Sequence, residues 1–144
     1  MAPKKKDEKK EEEQAGREDV GVFTFHDGAR YDGQVVRKDV TAVKRHGNGV
    51  FIDVGGATYD GQWAEDDAHG EGIMTFESGA VYTGSFFANL FDGKGVYTWP
   101  DGSSYEGFWR ANKMHGDGIY TDHNGDRWFG KFYDGVGKEL LKEV

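Results

Sequence analysis

Residues 59–84 read YDGQWAEDDAHGEGIMTFESGAVYTG and contain one complete unit of the repeat that decides the fold. The unit begins with an aromatic residue, any residue and glycine, and this triplet recurs along the chain. Its matches begin at Tyr31, Tyr59, Tyr82, Tyr105 and Trp128. The step is 23 residues in the last three intervals and 28 residues in the first. A fixed period of this size is typical of a repeat array, in which each small unit buries its apolar face only against its neighbours.

Each unit has the pattern of two β-strands and two turns. Residues 59–63 and 70–76 are strand-like, whereas residues 64–69 and 77–79 are polar or contain glycine. This predicts an all-β fold, a single-layer antiparallel meander of hairpins that forms an elongated, curved and twisted sheet. Four dipeptides are predicted hairpin turns that tolerate positive φ: Asp27-Gly28, Ser78-Gly79, Asp101-Gly102 and Asn124-Gly125.

Aligning the units places most aromatic residues in four columns, which share one face of the predicted sheet because side chains alternate with period two. The columns are Tyr31, Tyr59, Tyr82, Tyr105, Trp128; Val35, Trp63, Phe86, Trp109, Phe132; Phe23, Phe51, Met74, Tyr97, Tyr120; and Phe25, Asp53, Phe76, Trp99, Asp122. The strand glycines fall on the same face, where they leave room for a ring to lie flat across a neighbouring strand. We therefore expect an aromatic groove.

The groove is the predicted site for a segment of a partner protein, because exposed aromatic patches mark interaction sites and supply binding hot spots. Its predicted residues are Tyr31, Tyr59, Trp63, Tyr82, Phe86, Tyr97, Trp99, Tyr105, Trp109, Tyr120, Trp128 and Phe132. Five further rings, Phe87, Phe91, Phe108, Phe129 and Tyr133, fall outside the columns. They line a second interface or pack under turns, and packing is favoured for Phe91.

Composition limits the remaining classes of function. The chain has no cysteine and no apolar run long enough for a membrane span, so we expect a soluble intracellular protein. Residues 1–15 carry five lysines and five acidic residues, so the net charge of −8 belongs to the rest of the chain. An acidic domain repels nucleic acid and anionic lipid. Residues 1–18 are predicted to be a disordered charged tail, either a solubilising segment or a tether to a partner.

The first repeat carries five extra residues between Gly33 and His46. This insertion holds the only basic cluster of the predicted array, which is either a partner contact or a tolerated surface insertion. The predicted basic contact residues are Arg37, Lys38, Lys44 and Arg45, together with Lys4, Lys5 and Lys6 of the tail. The array is predicted over residues 19–137, and residues 138–144 are predicted to form a short capping helix that covers the last sheet edge through Leu140 and Leu141.

The sequence offers little for catalysis. His46, His69 and His115 occupy one repeat position, where equivalent residues lie two strand spacings apart, about 9.5 Å. That separation is too wide for a shared zinc ion, so we expect these rings to cap turns and predict no metal or other cofactor. Asp53 and Asp122 are predicted to cap the turns that follow them. No nucleophile motif or phosphate loop is present, which predicts a non-enzymatic protein without catalytic residues.

The pattern Tyr-x-Gly-x-Trp followed by His-Gly-x-Gly resembles the MORN repeat (membrane occupation and recognition nexus) over roughly residues 19–138. The last units, with GDGIYTDHNGDRWFGKF at residues 116–132, resemble the small ciliary and flagellar members of the family. The resemblance implies an adaptor in the cytoskeleton of a cilium or flagellum, with radial-spoke, dynein-associated or microtubule-associated axonemal subunits as partners. Two alternatives remain: a membrane or phosphoinositide adaptor, and a regulatory subunit of an enzyme on another chain.

Overall fold

The computed structural model describes residues 16–144, which contain eleven β-strands. They are β1 (Arg17–Thr24), β2 (Arg30–Arg37), β3 (Val43–Ile52), β4 (Thr58–Ala64), β5 (Asp67–Thr75), β6 (Val81–Phe87), β7 (Leu90–Thr98), β8 (Ser104–Arg110), β9 (Lys113–Thr121), β10 (Arg127–Tyr133) and β11 (Val136–Lys142). They form one antiparallel sheet in which each strand pairs with the next in sequence. The predicted all-β meander is confirmed. Of the tail predicted over residues 1–18, residues 1–15 lie outside the described part of the chain. Arg17 and Glu18 belong to β1.

Two kinds of turn alternate along the sheet. The longer turns contain Gly28, Gly79, Gly102 and Gly125 at φ between 87° and 96°, as the dipeptides predicted. Four of the other turns have only two residues, both at positive φ, as in the turn at Glu65 (49°) and Asp66 (74°). The turn between β2 and β3 is the longer exception. Positive φ at both positions is the geometry of a tight type I′ hairpin. The six-residue turn predicted over residues 64–69 is therefore wrong, because β5 already begins at Asp67.

A register shift bends the strands in each repeat. In the β4–β5 pair, Gly61 faces Gly72 whereas Trp63 faces Ala68, so three residues of β5 lie opposite one residue of β4. Gly70 lies in this stretch at φ +94°, a left-handed conformation that favours glycine. The same shift occurs where β2, β6 and β8 meet the strands that follow them. Because such bulges bend a strand, their repetition curves the sheet around its aromatic face.

The glycine pairs lie beneath the tyrosine rings. A Cβ atom on Gly72 would lie 2.5 Å from the hydroxyl oxygen of Tyr59 and 2.6 Å from a ring carbon. A Cβ atom on Gly61 would lie 2.5 Å from Gly72 Cα, on the neighbouring strand. The ring therefore crosses two strands where side chains are missing, which confirms the reason predicted for the glycines.

The insertion in the first repeat lengthens one hairpin and leaves the sheet intact. Arg37 at the end of β2 pairs with Val43 at the start of β3, and residues 38–42 form the exposed turn between them. Within this turn, Asp39 accepts hydrogen bonds from the backbone amides of Thr41 (2.7 Å) and Ala42 (2.8 Å). The extra residues therefore lie beyond the ends of β2 and β3, on the rim of the sheet.

The C-terminal segment is a strand, so the predicted capping helix is wrong. β11 pairs with β10, with a register shift between Phe129 and Lys131. Leu140 packs against the core and Leu141 is 73% exposed, because neighbouring residues of a strand point to opposite faces. The free hydrogen-bonding groups of β10 favour a strand over the local helical preference of this segment. The cap on the core is therefore formed by Leu140 alone.

Candidate functional site: the aromatic groove

The tyrosines of the first column form the floor of the groove. Tyr31, Tyr82 and Tyr105 are fully buried and Tyr59 is 3% exposed. Each hydroxyl donates a hydrogen bond to the backbone carbonyl three residues further on, over 2.6 Å from Tyr31 and 3.0 Å from Tyr105. Burial raises the pKa of Tyr31, Tyr59 and Tyr105 to about 12, and it also raises the pKa of Tyr82. These residues hold the sheet in its curved form and present almost no surface to a partner.

The second column is also buried. Trp63 and Trp109 are 6% and 7% exposed, and Phe86 and Phe132 are 5% and 4% exposed. The indole nitrogens of Trp63 and Trp109 donate to the carbonyls of Gly49 (3.0 Å) and Gly95 (3.1 Å). Each indole meets the neighbouring tyrosine rings edge-on, a favourable aromatic geometry. Of these rings, Trp63, Phe86 and Trp109 line the groove despite their burial.

The half-buried residues above this floor enclose a cavity of about 700 Å³. Of the predicted groove residues, it contacts Tyr59, Trp63, Phe86, Tyr97, Trp99 and Trp109. The other predicted residues do not line it: Tyr31, Tyr82, Tyr105, Tyr120, Trp128 and Phe132. The lining further includes Phe51, Met74 and Phe76, which belong to the predicted columns. The cavity is therefore lined mainly by apolar and aromatic side chains.

The groove has a fifth column that was not predicted from the sequence. Arg45, Ala68, Phe91 and Met114 each lie two residues before the first glycine of a Gly-x-Gly pair, opposite the second column. Phe91 stacks on Tyr82 with ring centres 3.9 Å apart, which confirms that it packs. The column was not apparent because residues 64–69 were assigned to one polar turn, whereas the turn has only two residues and β5 begins at Asp67. The signal in the sequence is a fixed offset, since each member directly precedes a His-Gly dipeptide or, for Phe91, the dipeptide Asp92-Gly93.

Arg45 closes the β3 end of the groove. Its guanidinium carbon lies 4.3 Å from the centre of a Trp63 ring and 5.1 Å from that of Phe51. Its nitrogens donate to the Asp66 carboxylate (2.7 Å) and to the Asp66 backbone carbonyl (3.0 Å). Burial acts to raise the pKa of Asp66, but the hydrogen bonds and the charge of Arg45 together hold that pKa below its usual value. Arg45 is therefore a wall of the groove and not a residue of the exposed insertion.

The other described basic residues of the first repeat are ion-paired. Arg37 binds Asp19 (3.2 Å), and Lys44 binds Glu65 (2.9 Å), with Lys38 4.0 Å from the same carboxylate. Their charge is compensated locally, which weakens the attraction of this cluster for an anionic surface. Its role as a contact remains a prediction. Lys4, Lys5 and Lys6 lie outside the described residues.

Hydrogen bonds between repeats order the rim of the groove. The side chains of Asp66, Asn89 and Asn112, each in a two-residue turn, accept from the backbone amides of Arg45, Ala68 and Phe91 over 2.8–3.1 Å. The backbone amides of these turn residues donate back to the carbonyls of the same three residues. Each turn is thereby tied to the preceding repeat. Asn89 and Asn112 also line the cavity and give the apolar groove a polar edge.

Two of the three histidines predicted to cap turns do so, as do the two column aspartates, whereas the His115 ring packs against Tyr133 with ring centres 5.2 Å apart. His46 and His69 accept through Nδ1 from the amides of Glu65 (3.5 Å) and Ala88 (3.4 Å). Asp92 stands at the equivalent position and accepts from Ala111 (3.2 Å). At the opposite rim, Asp53 caps two amides of its turn and Asp122 does the same. No group of three metal-ligating side chains occurs in residues 16–144.

Comparison with known proteins assigns this architecture to a family. The MORN repeat matches residues 44–58, 59–81, 82–104 and 105–127, which is more than half of the chain. The chain belongs to the MORN-repeat family. MORN repeats are generally non-catalytic modules that interact with proteins or membranes. No individual curated protein matches the sequence. Within residues 16–144, no helix is long and apolar enough to cross a membrane.

The outer face of the MORN sheet carries the remaining exposed rings. Phe87 and Tyr133 are each 60% exposed, Phe108 is 46% exposed and Phe129 is 36% exposed. The Lys94 ammonium lies 5.9 Å from the Phe108 ring centre, and the Arg127 guanidinium 5.2 Å from that of Phe129. These four rings do not pack in the core. The alternative that they line a second interface stays a prediction.

Proposed function

We propose that the protein is a non-enzymatic adaptor whose MORN groove binds an apolar segment of a partner protein. The observation that carries the proposal is the cavity of about 700 Å³, whose half-buried lining residues include Met74, Phe76, Tyr97, Trp99 and Met114. Aromatic residues supply large rigid contacts, and methionines adapt to the shape of a ligand. The groove is therefore suited to the apolar face of a helix or to an extended apolar segment.

The groove has buried floor residues and half-buried surface residues, and only the surface residues can be replaced without loss of the fold. Trp63 and Trp109 are hydrogen-bonded parts of the core, so their removal would unfold the groove itself. Tyr97 and Trp99 are half-buried, and their rings lie 4.9 Å apart at the groove surface. Replacing these two side chains changes the surface and leaves the tyrosine floor in place.

A photo-crosslinking residue placed at Trp99 tests the groove in cells that express the protein. We expect a crosslinked partner at this position and none when the residue replaces Ile73, which is 44% exposed on the outer face of β5. A Tyr97→Ala, Trp99→Ala variant that keeps its thermal unfolding midpoint should lose the same partner. Equal crosslinking from the two positions, or a folded variant that retains the partner, would exclude the groove as the binding site.

We propose further that the partner is an axonemal subunit and that the protein resides in a cilium or flagellum. The support is the resemblance of the last repeats to the small ciliary members of the family. Detergent extraction of ciliated cells that carry the tagged protein tests this localisation. Retention on the demembranated axoneme, with release only by high salt, is the expected result. Release with the detergent fraction would instead favour the membrane alternative.

The membrane alternative receives less support from the described basic residues, because Arg37, Lys38, Lys44 and Arg45 all have acidic partners. Flotation with liposomes that contain or lack phosphoinositide provides the direct test. Phosphoinositide-dependent flotation would establish lipid binding and displace the axonemal proposal. An enzyme crosslinked from Trp99 would instead identify the chain as a regulatory subunit, still acting through the groove.

A further inference from the structure

The outer edge of β1 carries backbone hydrogen-bonding groups that no described strand pairs with. Within residues 16–144, β1 pairs only with β2, and Val20 and Val22 are 71% and 54% exposed. Proline, lysine, other charged side chains and register shifts usually protect an edge strand. β1 contains no proline, no lysine and no register shift against β2, and its charged residues, Arg17, Glu18 and Asp19, all lie in its first half. The second half, from Val20 to Thr24, has none of these features. β11, at the other end, has a register shift, two lysines and the packed Leu140.

The repeat shows which strand would complete this edge. The strands β3, β5, β7 and β9 each lie between two strands that carry the aromatic-x-glycine triplet. In β3, for example, Phe51 faces Tyr31 on one side and Tyr59 on the other. β1 has only half of this arrangement, with Phe23 facing Tyr31. A second neighbour that continues the pattern would place an aromatic residue opposite Phe23.

The same strand would need a glycine opposite Gly21. In the equivalent pair of β2 and β3, Gly33 faces Gly49, and a Cβ atom on Gly33 would lie 2.6 Å from the carbonyl oxygen of Asn48. Any side chain at that position would therefore push the two strands apart. A strand that carries the aromatic-x-glycine triplet therefore needs its glycine if it is to pair with the outer edge of β1.

The sequence of residues 1–15 does not contain the pattern that this strand needs, and a second copy of β1 does not match it either. Residues 1–15 contain no glycine and no aromatic residue. A second β1 placed around a two-fold axis at Gly21 would bring glycine opposite glycine but would set Asp19 against Phe23. We propose that β1 is a strand-addition site for a different polypeptide, which contributes an antiparallel strand with an aromatic-x-glycine motif. Such β-augmentation combines main-chain hydrogen bonds with side-chain specificity.

A synthetic peptide TYDGQWA, the sequence of residues 58–64, is the probe for this site. Its fluorescein-labelled form is titrated with the full chain and followed by anisotropy, and amide hydrogen exchange locates the contact. We expect saturable binding that slows exchange in β1 and leaves β11 unchanged. The peptide TYDVQWA, in which valine replaces the glycine, should bind at least tenfold more weakly because its side chain meets the β1 backbone.

Protein variants give an independent test. Val20→Lys with Val22→Lys protects the edge and should weaken peptide binding at least tenfold. Ile73→Lys adds a charge to the same outer face on an internal strand, and it should leave binding unchanged. Three results would overturn the proposal: no saturable binding up to about 1 mM peptide, equal binding of the two peptides, or protection confined to the groove around Trp99. Dimerisation through β1 without peptide would also overturn it. Failure here leaves the groove proposal intact, since crosslinking from Trp99 does not involve β1.

Discussion

Gly72→Ala tests the packing of tyrosine rings on glycines, on which the groove depends. The new Cβ atom would lie 2.5 Å from the Tyr59 hydroxyl oxygen and 2.6–2.7 Å from two ring carbons. Favourable carbon contacts lie near 3.5–4.0 Å, so the ring must move by about 1 Å. Gly72 is not among the glycines at positive φ, so the substitution adds no backbone strain of that kind.

The ring of Tyr59 has no free direction in which to move. Its hydroxyl donates to the Gln62 carbonyl over 2.7 Å, and its centre lies 4.9 Å from those of Trp63 and Phe86. Overpacking costs about 2 kcal/mol and loss of the hydrogen bond costs about 1 kcal/mol. We therefore expect Gly72→Ala to lower the free energy of unfolding by about 3 kcal/mol.

Chemical denaturation followed by tryptophan fluorescence measures this loss from the transition midpoint at unchanged slope. Gly79→Ala is the matched control, because Gly79 has a φ of +92° and nothing within 4 Å of its Cβ position. It should lose only about 1 kcal/mol, the cost of a left-handed alanine. Tyr59→Phe removes the closest atom, so the double variant with Gly72→Ala should lose about 1 kcal/mol less than the sum of the single losses. If Gly72→Ala lost no more than Gly79→Ala at equal slope, the ring would not lie on the glycine.

Three further predictions concern pH, the floor of the groove and its rim. The folded-state pKa of Tyr31, Tyr59 and Tyr105 is raised to about 12 from about 10, so their contribution is complete below pH 10 and is lost as pH rises towards 12. Between about pH 10 and pH 12, each of these tyrosines should lower the free energy of unfolding by about 1.4 kcal/mol per pH unit. Phenolate absorbance should therefore rise together with the loss of the sheet signal in circular dichroism. Ionisation of the tyrosines near about pH 10 in the folded protein would contradict this. Trp63→Ala should lose about 3–5 kcal/mol in a denaturant titration, and Trp99→Ala under half as much, because only Trp63 is a buried, hydrogen-bonded ring; equal losses would refute the distinction between floor and surface. Asn89→Ala removes the acceptor of the Ala68 amide and should lose about 1 kcal/mol by thermal unfolding, whereas a neutral result would show that water replaces it.

The sequence was sufficient for the fold class and the strand order because its information is local and periodic. The 23-residue step and the aromatic-x-glycine triplet set the strand order, since each strand pairs with its neighbour along the chain. Residues such as Gly28 and Gly79 marked the longer turns, because positive φ leaves few other choices. Alternation then placed the tyrosines and the glycine pairs on one face, as the structure has them.

The tertiary structure decided which residues are available at that face. Periodicity gives the same face to Tyr82 and Trp99, but the bulge in each repeat curves the sheet until Tyr82 is fully buried and Trp99 remains at the surface. Curvature is the sum of many small bends, so it cannot be obtained from any one repeat. Arg45, which was expected in the exposed insertion, packs against Trp63 and forms a wall of the groove. At the C-terminus, the open hydrogen-bonding groups of β10 outweigh the helical preference of residues 138–144 and make this segment a strand. The sequence therefore determined the order and the faces of the strands, whereas burial, and with it the surface that a partner meets, was decided by how the whole sheet bends.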